Sequence, residues 1–200
     1  MRGRVAGAGF LVRSKGHQWK VLPVHRVLEI VDLRKARARE LRLIPGPVAA
    51  QGTHQAVHAA AHCLIPAPLP VVWRVLTDYD RLSEFVPFLT ESRLVRVVDG
   101  AKIVHQNGRG GLWIFRRRFT VTFRIEEHPT TSLTFKAIEG DFRQFEGFWR
   151  LEARPEGTLV SHQVDIEPAF YLPKWATRVL AKHLMLKSFE GVVRRCLREA

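Results

Sequence analysis

Apolar and polar residues alternate with a period of two through most of the chain beyond residue 56, and the alternation gives way to helical spacing in only two places. Val57, Ala59, Ala61, Cys63 and Ile65 alternate with His58, Ala60 and His62, which predicts a half-buried strand ended by Pro66 and Pro68. Helical spacing then takes over. Residues 70–77 carry Val71, Val72, Val75 and Leu76 on one face with Pro70 in the first turn, and Asp78 or Asp80 is placed to cap a second short helix bearing Leu82, Phe85 and Val86. Strands follow in quick succession. Residues 92–98 and 102–107 flank Asp99-Gly100, a strong hairpin signal. Phe119, Val121, Phe123 and Ile125 are the inward positions of the next strand, Leu133, Phe135 and Ala137 of the one after, and Phe145, Gly147, Trp149 and Leu151 of the third. Val160, His162, Val164 and Ile166 complete the series. Short connections make these strands antiparallel neighbours, and a single apolar face means that the sheet is covered on one side only.

The second helical stretch is the long one, over 172–200, whose only glycine is Gly191. Leu172, Trp175, Val179, Leu186, Val193 and Leu197 fall on one stripe, with Met185, Phe189 and Val192 beside it. Lys187, Arg194, Arg195 and Arg198 point the other way, near the end where the helix dipole favours cations. Leu180 and Leu184 lie outside that stripe, either as the lip of an entrance or as exposed leucines. The expected fold is α+β: a curved antiparallel sheet of about seven strands gripping the long C-terminal helix, with two short helices after the first strand.

Three stretches carry a family resemblance: Ile65-Pro-Ala-Pro68 leading to Val72-Trp-Arg-Val-Leu-Thr-Asp-Tyr-Asp80; Phe85-Val-Pro87 through Glu91-Ser-Arg93; and Glu139-Gly-Asp-Phe-Arg-Gln-Phe-Glu-Gly-Phe-Trp-Arg-Leu-Glu152. In this order the chain from about 54 to 198 resembles the START-like, polyketide cyclase/dehydrase superfamily with its helix-grip fold, most closely the coenzyme Q-binding START-domain branch. The resemblance implies an apolar cavity between sheet and final helix that holds a lipid, an isoprenoid quinone or an aromatic polyketide. The residues expected to line it are Phe119, Phe123, Phe135, Phe145, Trp149 and His162 from the sheet, with Trp175, Val179, His183 and Leu186 from the helix. A close-packed interior would use the same aromatics, so these positions read equally as core. His162, inward between Val160 and Val164, is either a hydrogen-bonded core histidine or a polar anchor for a head group such as a quinone oxygen.

Composition changes this picture at the N-terminus. The chain has 200 residues and a net charge of +13, but residues 1–44 hold eleven Lys/Arg against three Asp/Glu. The basic excess is therefore concentrated in an arm, read as residues 1–53 with a linker at 44–53, ahead of a domain over 54–200. Residues 27–43 have the spacing of a basic amphipathic helix, and the arm is read as weakly ordered, membrane- or RNA-touching, or a targeting segment. No apolar run approaches the roughly 20 residues that cross a bilayer. Cys63 and Cys196 match no metal or redox spacing and read as buried thiols in a reducing, cytoplasmic setting.

The remaining candidates for chemistry are few. His54, His58 and His62 are four apart but have no further ligand at useful spacing, so they read as solvated or edge histidines, and neither metal nor cofactor is expected. Asn107-Gly-Arg-Gly-Gly111 reads as a mobile hairpin loop. Beyond it Trp113 and Phe115 precede Arg116, Arg117 and Arg118, a combination suited to peripheral contact with an anionic membrane or, with less support, to RNA or the ribosome. No nucleophile, base and orienting acid stand at recognisable spacing, so a non-enzymatic carrier of a hydrophobic molecule leads. An aromatic polyketide cyclase or dehydratase using His162 or His183 is the alternative.

Overall fold

The computed structural model describes residues 9–14, 18–23, 57–110 and 117–200. Strands β1 (Gly9–Ser14) and β2 (Gln18–Pro23) pair antiparallel as a separate hairpin. The basic helix expected over 27–43 and the linker at 44–53 lie outside the described residues.

The main unit begins with β3 (Val57–Ile65), followed by helix α1 (Leu69–Thr77), a 3₁₀ turn (Tyr79–Arg81) and the four-residue α2 (Leu82–Phe85). Six strands come next: β4 (Leu89–Val98), β5 (Ala101–Gly110), β6 (Arg117–His128), β7 (Ser132–Gly140), β8 (Phe142–Arg154) and β9 (Gly157–Pro168). Helix α3 (Lys174–Glu199) closes the chain. The sheet order is β3-β9-β8-β7-β6-β5-β4, antiparallel throughout, so the first strand pairs with the last. This is the α+β grip expected from the periodicity.

Local chemistry explains the curvature and the turns. Asp99 and Gly100 both take positive φ, 50° and 77°, the conformation that joins β4 to β5 without splaying them. Register shifts within the β4–β5, β6–β7 and β8–β9 pairs mark bulges, and each bends its strand and adds to the coil of the sheet. The glycine-rich run read as a mobile loop is strand as far as Gly110. Its Gly108 lies under the Phe119 ring, and a Cβ there would meet that ring at 2.3 Å. Neither Asp78 nor Asp80 caps a helix through its side chain. Asp80 Oδ1 instead accepts the backbone N–H of Leu94 at 2.7 Å, tying the helical corner to the edge strand β4.

The gripped face of α3 is rotated from the stripe that the sequence predicted. Ala176, Thr177, Ala181, Leu184, Met185, Phe189, Gly191, Val192, Val193 and Cys196 are the buried positions, so Val193 of the expected stripe is gripped, whereas Trp175 is 59% exposed, and Val179, His183 and Leu197 also lie on the solvent side. The physical reason is that the buried face carries small and polar residues, which a count of large apolar side chains passes over. The predicted phase was also set from Leu172, which precedes the helix. Leu184 is therefore core, and Leu180 is half-buried against it. Gly191 sits where α3 crosses α2, and a Cβ there would stand 2.1 Å from the Phe85 carbonyl oxygen. That close approach explains a glycine far inside a helix.

Candidate functional site

The helix does not lie evenly on the sheet. It packs mainly on β3 and β9, where Ala59 and Ala61 are almost fully buried and let the backbones come close. Toward β6–β8 the facing residues are large rings, and the wedge between them and the helices is filled edge-on. Phe123 meets Phe135 at 5.4 Å and Phe145 at 5.0 Å, and Phe142 meets Phe145 at 4.9 Å and Phe119 at 5.6 Å. Rings in such T-shaped contact attract through their quadrupoles but do not fill space as branched aliphatics do.

A cavity of about 120 Å³ remains among them. It runs from α1, the 3₁₀ turn and α2 across the inner faces of β5–β9 to the middle of α3. Phe119, Phe123, Phe135, Phe145, Trp149 and His162 line it, as does a set from the helical corner and α3: Leu76, Tyr79, Leu82, Val86, Phe88, Leu89, Ser188 and Val192. Gln106, Ile125 and Leu133 complete the wall. The volume sets a limit. An engineered apolar cavity of about 150 Å³ admits benzene, and drug-sized pockets begin near 300 Å³, so this space suits a single ring or a short chain unless the wall opens.

The polar groups in that wall are specific. His162 is 6% exposed and its imidazole lies flat on the Trp149 indole, 3.8 Å between centroids and 9° from parallel. Cross-strand pairing puts the two side by side, since Trp149 and His162 are register partners. His162 Nδ1 lies 2.9 Å from the Phe148 carbonyl oxygen. Burial pulls the imidazole pKa down to about 4, with the Phe148 bond opposing, so the ring is neutral at pH 7. At the other end the Tyr79 hydroxyl donates to Glu127 Oε1 at 2.6 Å, and Lys102 Nζ meets the same oxygen at 2.9 Å. Burial and the Glu127 carboxylate push the Tyr79 pKa up, which keeps the phenol protonated. Ser188 Oγ donates to the Leu184 carbonyl at 2.9 Å, and Gln106 Nε2 lies 3.2 Å from Ser92 Oγ.

All six sheet residues expected at the ligand site are therefore brought to one cavity. The four from the helix are not. Trp175, Val179 and His183 lie on the solvent side of α3, and Leu186 is half-buried against the core without reaching the cavity. Trp113, Phe115 and Arg116 lie outside the described residues, as does the Arg117 side chain, and Arg118 is exposed. Sequence reading missed the share of the wall contributed by Tyr79, Leu82 and Phe88. Tyr79 sits in the quoted Thr-Asp-Tyr-Asp stretch, but nothing in that stretch says which way a 3₁₀ turn aims its side chain. His58 and His62 bind Asp165 Oδ1 and Ser161 Oγ at 2.8 and 2.9 Å across β3–β9. Among the described residues no group of three or more His, Cys, Asp or Glu is placed to hold a metal, and no helix is long and apolar enough to cross a membrane.

Residues 65–188 match the family model described as "Polyketide cyclase / dehydrase and lipid transport". Solved structures share the fold at low identity. An aromatase/cyclase from a Streptomyces species is 16% identical with a TM-score of 0.63, covering 72% of this chain and 95% of that one. A START superfamily protein from Mycobacterium smegmatis is 12% identical at 0.60, covering 72% and 99%. A protein from Thermus thermophilus is 21% identical at 0.59, also covering 72% and 99%. No curated protein matches the chain.

Proposed function

Because the chain belongs to the polyketide cyclase/dehydrase and lipid transport family, we propose that it is a non-catalytic carrier that shelters a hydrophobic small molecule between the sheet and α3. The observation that carries this reading is the cavity of about 120 Å³, walled mostly by apolar and aromatic side chains, in which the few polar groups are fixed by their own hydrogen bonds. A ring or head group fits the space as it stands. A guest with a longer tail, such as an isoprenoid quinone or a lipid, has to reach out through the partly open wall or widen it. The helical corner is the weakest section of that wall. Helix α2 has four residues, none of them buried, and no side-chain cap, and its Leu82 and the nearby Phe88 are half-buried.

The guest is taken from and returned to a membrane surface in this reading. Tyr171 is 82% exposed just ahead of α3, and Trp175 and Val179 are exposed along its first two turns. Residues 168–189 include Lys174, Arg178, Lys182 and Lys187 and no acidic residue. Aromatic rings at head-group depth beside cations are what an anionic bilayer attracts.

A catalytic reading with His162 moving protons has less support. With a pKa near 4 that imidazole is a poor base at pH 7, and His183 is not in the cavity. Native mass spectrometry after gentle purification tests the carrier reading. A bound lipid or quinone, with saturable rebinding after extraction, is expected. An empty protein that binds neither, or turnover of an aromatic polyketide by the wild type but not by His162→Ala, contradicts it.

A further inference from the structure

We infer that His162 Nε2 is the hydrogen-bond acceptor for a hydroxyl group on the guest, so that the cavity prefers alcohols and phenols, including the reduced quinol form of a quinone, to carbonyl compounds and hydrocarbons. This rests on the cavity being the binding site proposed above.

The inference starts from where the protons are. The Phe148 carbonyl can only accept, so the bond at 2.9 Å assigns the ring proton to Nδ1 and leaves Nε2 a bare lone pair. Nε2 has no protein partner among the described residues. It is not sealed off either: no fully occluded side-chain nitrogen or oxygen among the described residues lacks a hydrogen-bond partner. Nε2 therefore opens onto free space, and the free space beside this buried ring is the cavity. The two hydroxyls at the wall have likewise given their protons to the protein. The Tyr79 hydroxyl donates to Glu127 and the Ser188 hydroxyl to the Leu184 carbonyl. What these oxygens offer a guest is lone pairs.

A quinone or ketone oxygen brought to Nε2 sets lone pair against lone pair, and a hydrocarbon leaves Nε2 without a donor. A hydroxyl supplies the missing proton and keeps its own lone pairs free to accept from other donors. The low basicity of the ring keeps this polarity fixed at neutral pH, because an imidazolium at Nε2 would reverse the preference. The quinone oxygen expected from the sequence is thus replaced by its reduced counterpart.

Phenol, toluene and anisole test this on the intact protein. Phenol and toluene have nearly the same shape, and anisole retains the oxygen but has no proton to give. Phenol is expected to bind about tenfold more tightly than either, the worth of one buried neutral hydrogen bond. Long-range proton–nitrogen correlation spectra of the wild type should show His162 with its proton on Nδ1 and an Nε2 resonance that moves with phenol and not with toluene. In His162→Phe, which keeps a flat ring against Trp149, the preference should fall to about one. Equal affinities for the three probes, a proton already on Nε2, or an Nε2 resonance indifferent to phenol would overturn the inference while leaving the carrier reading intact. Failure of all three probes to bind the wild type would remove the site itself and the inference with it.

Discussion

Acidification should unfold this protein through one residue more than through any other in its core. His162 is neutral when folded, with a pKa of about 4, and an exposed histidine in the unfolded chain titrates near 6.5. Between those values the unfolded chain binds a proton that the folded protein refuses. Stability from this group is therefore fully present above about pH 6.5 and is lost as the pH falls toward 4, below which both states are protonated. A gap of about 2.5 pH units corresponds to about 3 kcal/mol, of which about 2.5 kcal/mol is gone by about pH 4.5. For a domain of this size that is a fall of about 5–10 °C in Tm. Urea unfolding at pH 7 and pH 4.5, wild type against His162→Gln, isolates the effect. The glutamine is expected to cost stability at pH 7, because its amide can still reach Phe148 but no longer stacks on Trp149. The variant should then lose about 2.5 kcal/mol less than the wild type on acidification. Parallel losses in the two proteins would show that His162 is already charged, or not buried, in the folded state.

Other perturbations reach other parts of the account. Gly191→Ala should destabilise by about 1–3 kcal/mol, because its Cβ would meet the Phe85 carbonyl, although alanine is the better helix former. A variant as stable as wild type in denaturant would mean that α2 and α3 do not approach so closely. Phe189→Ala removes a fully buried ring 5.1 Å from Trp149 and should cost about 3–5 kcal/mol, read as a shift in the urea midpoint. Replacing Tyr171 and Trp175 together by alanine should weaken sedimentation with phosphatidylserine vesicles and leave phenol binding to the cavity unchanged, since both side chains are exposed. Unchanged sedimentation would move the membrane contact elsewhere.

The sheet was legible in the sequence because most of its strands alternate and its turns use Asp-Gly and Pro-containing signals that have few other uses. The inward rings at Phe119, Phe123, Phe135, Phe145 and Trp149 follow from that alternation alone, and so does the inward His162. The helix was legible as an element but not in phase. Its buried face includes the small residues Thr177 and Ala181, and Ser188 stands at the cavity wall, while Trp175 and Val179 face out. Strand faces are fixed by a period of two, so an error of one residue inverts the pattern and is noticed. A helical stripe can rotate by a quarter turn and still collect enough large apolar residues to look right. The helical corner was harder still, since the Tyr79–Glu127–Lys102 contact joins residues far apart in the chain. Which nitrogen of His162 is free depends on a carbonyl of the neighbouring strand, and no spacing in the sequence records that.

Methyl-resolved NMR during a toluene titration tests most directly whether the space under α3 is a binding site. Saturable shifts confined to the methyl groups of Leu76, Leu82, Val86, Leu89, Ile125, Leu133 and Val192, which surround the cavity on all sides, are the predicted result. Shifts that rise linearly without saturating, or that fall on the exposed Leu94, Val95 and Val97 of β4 instead, would contradict it.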